Sequence, residues 1–183
     1  MANPITYLRR RIGWGIRNED GTATIPFIIF LPFYMMLVTS SVEMGMLMVR
    51  HVMLERGLDL AVRGLRLGIW NPPNSAELKR VVCRNAGIIP DCLNSMKIEL
   101  RPVDTATWQP LGSGATCIDR SAAIQPDDPT FDGGGEDNLM LIRACVKFKP
   151  LFPMSGAGFS MPKDGAGEYA LISATAFVNE PAR

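Results

Sequence analysis

A run of 22 residues without a formal charge, from Gly21 to Val42, constrains this 183-residue chain more than any other feature. In a helix that rises about 1.5 Å per residue, the run covers about 33 Å, which matches a bilayer hydrocarbon core of about 30 Å. A buried core helix is the alternative, but a small soluble domain seldom needs one that is apolar on all faces. The run therefore predicts a transmembrane helix.

The flanks of the run favour a retained anchor over a cleaved secretory signal. A signal has an apolar core of only about 7–15 residues followed by small residues of the A-x-A kind, whereas this run is longer and its only small cluster, at 39–41, is a poor site. Four arginines precede the run: Arg9, Arg10, Arg11 and Arg17. Because basic flanks stay on the cytoplasmic side, we expect residues 1–21 to be a basic cytoplasmic leader in a bacterial inner membrane. The chain after about Arg50 is then extracytoplasmic.

The helix is expected to continue beyond the membrane. Between Arg50 and Gly68 there is no proline, and apolar residues recur at spacings of 4, 3 and 4: Leu54, Leu58, Ala61 and Leu65. We predict one helix from about Pro26 to Gly68, with a transmembrane half at 22–49 and an amphipathic extension at 50–70. Pro32 should kink it, because the hydrogen bond back to residue 28 is lost.

The rest of the chain, 71–183, predicts a small extracytoplasmic α+β domain. A short helix at 76–85, capped by Ser75, precedes three segments that alternate with the period of half-buried strands. Their apolar stripes are Met96, Ile98 and Leu100; Met140, Ile142, Ala144, Val146 and Phe148; and Ala170, Ile172, Ala174, Ala176 and Val178. A Gly-, Pro- and Asp-rich stretch at about 102–138 is expected to be a long loop, and simple connections would make the sheet of about three strands antiparallel.

All four cysteines follow the apolar run: Cys83, Cys92, Cys117 and Cys145. An even number in an oxidising compartment indicates disulfides, and four cysteines permit three pairings. Cys83 lies on the short helix and Cys92 just before the first strand, so these two are expected to pair. Cys117 is then left to fasten the long loop to Cys145. Since Cys145 lies on the strand face opposite to Met140 and Ile142, this second pair is expected on the outer face of the sheet.

The search for chemistry is negative. His51 is the only histidine and has no nucleophile beside it in the sequence, so we expect no enzyme and no cofactor. The acids Asp127, Asp128, Asp132, Glu136 and Asp137 miss the EF-hand spacing, so a solvated loop is favoured over a calcium site. With 19 basic and 18 acidic side chains, the chain lacks the basic excess of a nucleic-acid binder.

Glu43 is the most informative polar residue. An ionised carboxylate inside a bilayer is costly and is usually paired or turned toward a partner helix. If the span ends near Val42, the same side chain lies instead at the outer headgroup level. Both interpretations remain open, and the first makes Glu43 and Gly45 a helix-partner contact.

The N-terminal third resembles the TadE-like pilus-assembly proteins, which are minor pseudopilins of the tight-adherence (Flp) pilus. The resemblance is carried by residues 18–24 (Asn-Glu-Asp-Gly-Thr-Ala-Thr), by an apolar span containing Pro32, and by residues 42–45 (Val-Glu-Met-Gly). It covers residues 17–68 well and the remainder in outline. The resemblance implies a structural subunit held in the lipid bilayer, with other pilus-assembly subunits and a prepilin peptidase as partners.

The resemblance also implies processing. Family members are cut after a glycine, which would be Gly21 here, so that Thr22 becomes the new N-terminus. The family has an acid at the fifth position after that glycine, where this chain has Pro26. We therefore expect cleavage but poor entry into the fibre. The alternative function is a membrane-anchored periplasmic module that binds a partner or ligand without any pilus.

Overall fold

A single long helix dominates the computed structural model, which describes residues 24–70, 72–107, 114–124 and 129–180. Helix α1, Thr24–Arg66, has 43 residues and continues through Pro32. At about 1.5 Å per residue it is about 65 Å long. The predicted long helix is confirmed, although it starts and ends two residues early. Its end is set by Gly68, whose φ of 65° takes the chain out of the helix.

Two shorter helices follow. Helix α2, Ser75–Asn85, begins one residue before the predicted start, and its N-cap is Asn74 rather than the predicted Ser75. The Asn74 side chain accepts a 2.9 Å hydrogen bond from the Ala76 N–H, which satisfies one of the free donors of the first turn. Helix α3, Cys92–Ser95, is one turn and too short for its sequence period to predict.

The three predicted strands form one antiparallel sheet. They are β1, Met96–Pro102, β2, Leu139–Phe148, and β3, Tyr169–Val178, with β2 in the centre. A one-turn helix, α4, Gly156–Ser160, lies in the connection between β2 and β3. The predicted α+β fold, with its long helix, short helix and three-stranded antiparallel sheet, is confirmed.

The core lies between one face of the sheet and the second half of α1. Leu54, Leu58 and Ala61 of α1 are at most 1% exposed, and they belong to one cluster with α2 and the strands. The strand residues of this cluster include the inward stripes predicted for β1 and β2. We call residues 72–180, together with α1 from Glu43 onward, the head.

The predicted stripe of β3 is wrong. Its members turn outward, and Ile172 and Val178 are 42% and 48% exposed. The register pairs Phe148 with Tyr169 and Val146 with Leu171, and directly opposite residues share a face. The inward residues are therefore Tyr169, Leu171, Ser173, Thr175 and Phe177. Both faces of β3 carry apolar residues, so a period of two could not decide between them.

Both disulfides have the expected partners. Cys83 is bonded to Cys92, with a Cα–Cα distance of 5.6 Å, which fastens α2 to α3. Cys117 is bonded to Cys145 at 5.3 Å, which fastens the long loop to β2. Cys145 is on the outer face as expected, yet it is 0% exposed. This face of the sheet is therefore covered locally.

The approach of α2 to α1 depends on Gly57. A Cβ added there would lie 2.7 Å from the carbonyl oxygen of Val82, a backbone atom that cannot turn aside, whereas one added at Gly45 meets no atom within 4 Å. We expect Gly57→Ala to lower the free energy of unfolding by about 1–3 kcal/mol through overpacking. Gly45→Ala should leave it unchanged or raise it by about 1 kcal/mol through helix propensity. Urea unfolding of the detergent-solubilised chain measures both, and a Gly57→Ala protein as stable as the parent would contradict the packing argument.

Candidate membrane interface

The first half of α1, residues 24–42, projects from the head as an apolar rod. Its large apolar side chains between Ile25 and Val38 have exposed fractions from 38% (Val38) to 69% (Leu37). An 18-residue window of α1 has a mean hydropathy of 1.9, and none of it is buried against the rest of the chain. A core helix of a soluble protein would be mostly covered. This segment, which we call the apolar half of α1, is long and apolar enough to cross a membrane.

Residues 72–180 of the head first contact the apolar half of α1 near its end. The contact is made by the connection between β2 and β3, residues 149–168, which we call the β2–β3 loop. A Cβ added at Gly156 would lie 3.1 Å from Met36 Cε and 3.3 Å from Ser40 Oγ. Glycine at this position therefore lets the loop backbone lie close to the helix.

Glu43 fastens the β2–β3 loop to α1. The side chain is 0% exposed, and its two carboxylate oxygens accept hydrogen bonds from the N–H groups of Leu151 at 3.1 Å and Phe152 at 2.8 Å. A carboxylate that accepts two backbone hydrogen bonds is compensated for its burial. Glu43 is thus occupied within its own chain, an environment that neither the partner-helix nor the headgroup interpretation included.

Arg50 extends this contact by two turns of α1. It is 5% exposed, and its guanidinium carbon lies 4.5 Å from the centre of the Phe148 ring, a cation–π contact that offsets part of its burial. Its Nε and Nη1 have no hydrogen-bond partner among the described residues. The Phe148 ring meets that of Tyr169 edge-on at 4.6 Å.

Tyr169 is part of the same cluster. Burial raises the pKa of its phenol, while the nearby Arg50 lowers it and the nearby Glu43 raises it. The phenol therefore stays neutral at physiological pH. Glu43, Arg50, Phe148 and Tyr169 join α1, β2 and β3 at the end of the head that faces the apolar half of α1, and we call them the base cluster.

The far end of the β2–β3 loop is fastened by Asp164. Its Oδ2 accepts a 2.9 Å hydrogen bond from Lys147 Nζ, and its Oδ1 accepts from the N–H groups of Ala166 and Glu168 at 3.0 and 2.9 Å. Burial acts to raise the pKa of Asp164, but the hydrogen bonds and the charge of Lys147 outweigh it and hold that pKa below its ordinary value. The loop is therefore fixed at both ends.

The other predicted site residues are not part of this interface. Gly21 and Thr22, the predicted processing site, lie outside the described residues, as do Asp127 and Asp128 of the acidic loop. Gly45 is exposed, and its role as a helix contact stays a prediction. Within the described ranges no group of three His, Cys, Asp or Glu side chains is placed to hold a metal ion.

Comparisons with known protein families, with curated proteins and with solved structures find no match to this chain.

Sequence reasoning missed Arg50 and the β2–β3 loop. The sequence indicates Arg50 only as a boundary of the apolar segment, because nothing in the local sequence reveals the aromatic ring 98 positions away that covers it. The loop did carry a signal, since residues 150–162 contain no charge between Lys149 and Lys163. An uncharged stretch of that length is unusual in a surface connection.

Removal of the Glu43 carboxylate tests the loop attachment. Glu43→Ala leaves two part-buried backbone donors without their partner, and an unsatisfied buried donor costs about 1–3 kcal/mol. We expect the free energy of unfolding of the head to fall by on the order of 3 kcal/mol, with faster proteolysis near Phe152. Glu55→Ala is the matched control, because Glu55 is 54% exposed and pairs with His51 of the preceding turn at 3.4 Å. Equal stability of the two variants in detergent would rule out the attachment.

Acid sensitivity tests the second attachment. The folded-state pKa of Asp164 is below its ordinary value of 3.8, so its carboxylate stabilises the fold fully above that value. The contribution is lost as the pH falls through the lower folded-state pKa. As the pH is lowered from neutral to below 3.8, the stability difference between the parent and Asp164→Asn should therefore shrink. Asp59→Asn, on the exposed face of α1, is the control. A difference that is independent of pH would contradict this assignment.

Proposed function

We propose that this chain is a single-pass inner-membrane subunit for assembly of a tight-adherence pilus, a minor pseudopilin with a cytoplasmic N-terminus and the head outside. The observation that carries the proposal is the division of α1 into two halves. Its first half exposes only uncharged side chains, and its second half supplies Leu54, Leu58 and Ala61 to the core of the head. Such a helix serves both as anchor and as structural spine.

The continuity of α1 supports a retained anchor. A secretory signal is removed after its apolar core, which here would cut the helix near residues 39–41. That cut would separate Glu43 from the preceding turn of α1, where Ser40 contacts the β2–β3 loop. The signal alternative would thus remove packing that the head uses.

Orientation is supported by features on both sides of the apolar half of α1. Four arginines precede it, and basic residues are retained in the cytoplasm. Both disulfides lie in the head, and disulfides persist in oxidising compartments such as the periplasm.

Pilus assembly, as distinct from anchoring, is supported by the resemblance of residues 17–68 to TadE-like proteins. On this basis a prepilin peptidase cuts between Gly21 and Thr22. Gly21 lacks a side chain, which keeps the peptide bond accessible to an active site. Pro26 stands where the family has an acid, and the new N-terminal amine would lack a charge partner in lipid. The cut chain is therefore proposed to remain a membrane-bound assembly factor.

A second candidate is a membrane-anchored module that binds a partner or ligand without a pilus. It is favoured by a cleft of about 670 Å³ at the end of α1 remote from the apolar half, where Trp70 and Phe177 face residues 133–135. Clefts of this volume accept small ligands. The ion pair between Arg66 and Glu180, 3.1 Å apart, borders it.

N-terminal sequencing of the membrane fraction tests the proposed function. In a host with a tight-adherence pilus locus, the mature chain should begin at Thr22, and Gly21→Val should block the cut because a branched side chain obstructs the scissile bond. Gly45→Val, beyond the apolar run, is the matched control and should be processed normally.

Three further readouts complete this test. Deletion of the chain should abolish piliation, while sheared pili should contain little of it. A protein still beginning at Met1, together with normal piliation in the deletion strain, would reject the pilus function and favour the second candidate. A C-terminal alkaline phosphatase fusion should be active, and an inactive fusion would reject the topology.

A further inference from the structure

The β2–β3 loop contains a second apolar surface beside α1. Residues 150–162 form 13 consecutive positions without a charge, and Lys149 and Lys163 flank them. Met154 is 91% exposed and Phe159 is 80% exposed. Side chains this apolar and this exposed on a connection between strands need a nonaqueous neighbour to be favourable.

The position of these residues along α1 identifies that neighbour. If the hydrocarbon core begins at Thr24, where α1 starts, then about 20 residues span it and it ends at about residue 44. The loop contacts Met36 and Ser40, which are then about 6–12 Å inside that boundary at 1.5 Å per residue. The exposed side of the loop is therefore level with the outer end of the apolar half of α1 and continuous with it.

Several backbone N–H groups of the loop have hydrogen-bond partners within the chain. In lipid each unpaired N–H costs several kcal/mol, so a non-helical segment needs internal partners. The N–H groups of Leu151 and Phe152 donate to Glu43. Those of Ser155 and Phe159 donate to the carbonyls of Phe152 and Ser155 at 3.0 and 2.8 Å.

Two further polar groups of this segment also have partners within the loop. The Gly158 N–H donates to Ser155 Oγ at 3.0 Å, and the Ser155 hydroxyl donates to the Phe152 carbonyl at 2.8 Å. Residues 150, 153 and 162 are prolines and have no N–H to satisfy. These bonds and the prolines reduce the number of backbone N–H groups that would be unpaired in lipid.

We propose that residues 150–162 insert into the outer leaflet of the membrane that α1 crosses, as a second membrane contact of the head. Met154 and Phe159 lie among the acyl chains, and Lys149, which is exposed, reaches the phosphates of the headgroups. The inference rests on the membrane anchoring proposed above. Glu43 then serves to hold the inserted loop against α1, and the head is fixed in tilt and rotation relative to the bilayer.

Site-directed spin labels measure this insertion in the full chain. The cysteines at 83, 92, 117 and 145 are all paired, so one introduced cysteine gives one label. Three variants are reconstituted into vesicles of phosphatidylethanolamine and phosphatidylglycerol: Met154→Cys, Phe30→Cys and Leu67→Cys. Phe30, 67% exposed, reports on the apolar half of α1, and Leu67, 62% exposed, is the matched position at the opposite end of α1. Collision with oxygen and with a water-soluble nickel chelate measures the depth of each label.

The labels at Met154 and Phe30 are expected to favour oxygen, and the label at Leu67 to favour nickel. A lipid-like Phe30 with a water-like Met154 would overturn the loop insertion while leaving the anchor in place. A water-like Phe30 would instead overturn the anchor itself, and the insertion with it.

A charge variant gives a second measurement, and its substituted position lies outside the core of the head. Phe159→Asp, at a position 80% exposed, should move the label at Met154 from oxygen to nickel preference, because a carboxylate resists entry into lipid. Leu67→Asp in the same labelled protein should leave the preference unchanged. An unchanged label depth in Phe159→Asp would count against insertion.

Discussion

The buried carboxylate of Glu43 joins the two parts of the molecule. Glu43 lies on α1, whose preceding turns are exposed and apolar. Its carboxylate accepts hydrogen bonds from the backbone N–H groups of Leu151 and Phe152. The loop that carries these donors connects β2 to β3, so the position of the sheet along α1 depends on this contact. Arg50 and Phe148 repeat the connection two turns further on through a cation–π contact. Polar groups are thus buried where the apolar half of α1 meets the head, and hydrogen bonds at Glu43 and the cation–π contact at Arg50 offset the burial.

The head itself is small, and covalent bonds assist it. Its core is formed by a stripe of α1, residues of α2 and the inward faces of the three strands, and the irregular segment around Cys117 lies over the outer face of β2 at Cys145. Residues in such a segment contribute little cooperative packing of their own, so the bond from Cys117 to Cys145 holds the loop against β2. A disulfide of this kind stabilises by typically 2–4 kcal/mol, chiefly by restricting the unfolded chain. That contribution is available only where thiols are oxidised, which agrees with a head outside the cytoplasm.

Most of the fold could be predicted from the sequence, because its elements differ strongly in period. The apolar run, the stripe from Leu54 to Leu65, and the alternation in β1 and β2 each fit only one kind of element. Prediction failed in β3, where Ile172 and Leu171 are both apolar and the register with β2 decides which is buried. It also failed at Glu43, whose partners are backbone groups 108 and 109 residues away. A tertiary contact with main-chain atoms leaves no signature in side-chain identity, so local reasoning could weigh only lipid and a partner helix.

The burial of Glu43 also bears on how the chain can meet other helices. The face of α1 that carries Glu43 and Arg50 is occupied by the head, so a neighbouring helix has access only to the opposite face. That face carries Gly45, which is exposed, and Met48 and Val52, which are both 61% exposed. Their spacing of three and four residues forms one apolar stripe, and a glycine within such a stripe permits close approach of a second helix. A second helix packed on this stripe would leave the Glu43 contacts intact. The contacts of the head and the exposed stripe thus lie on different faces of the same helix.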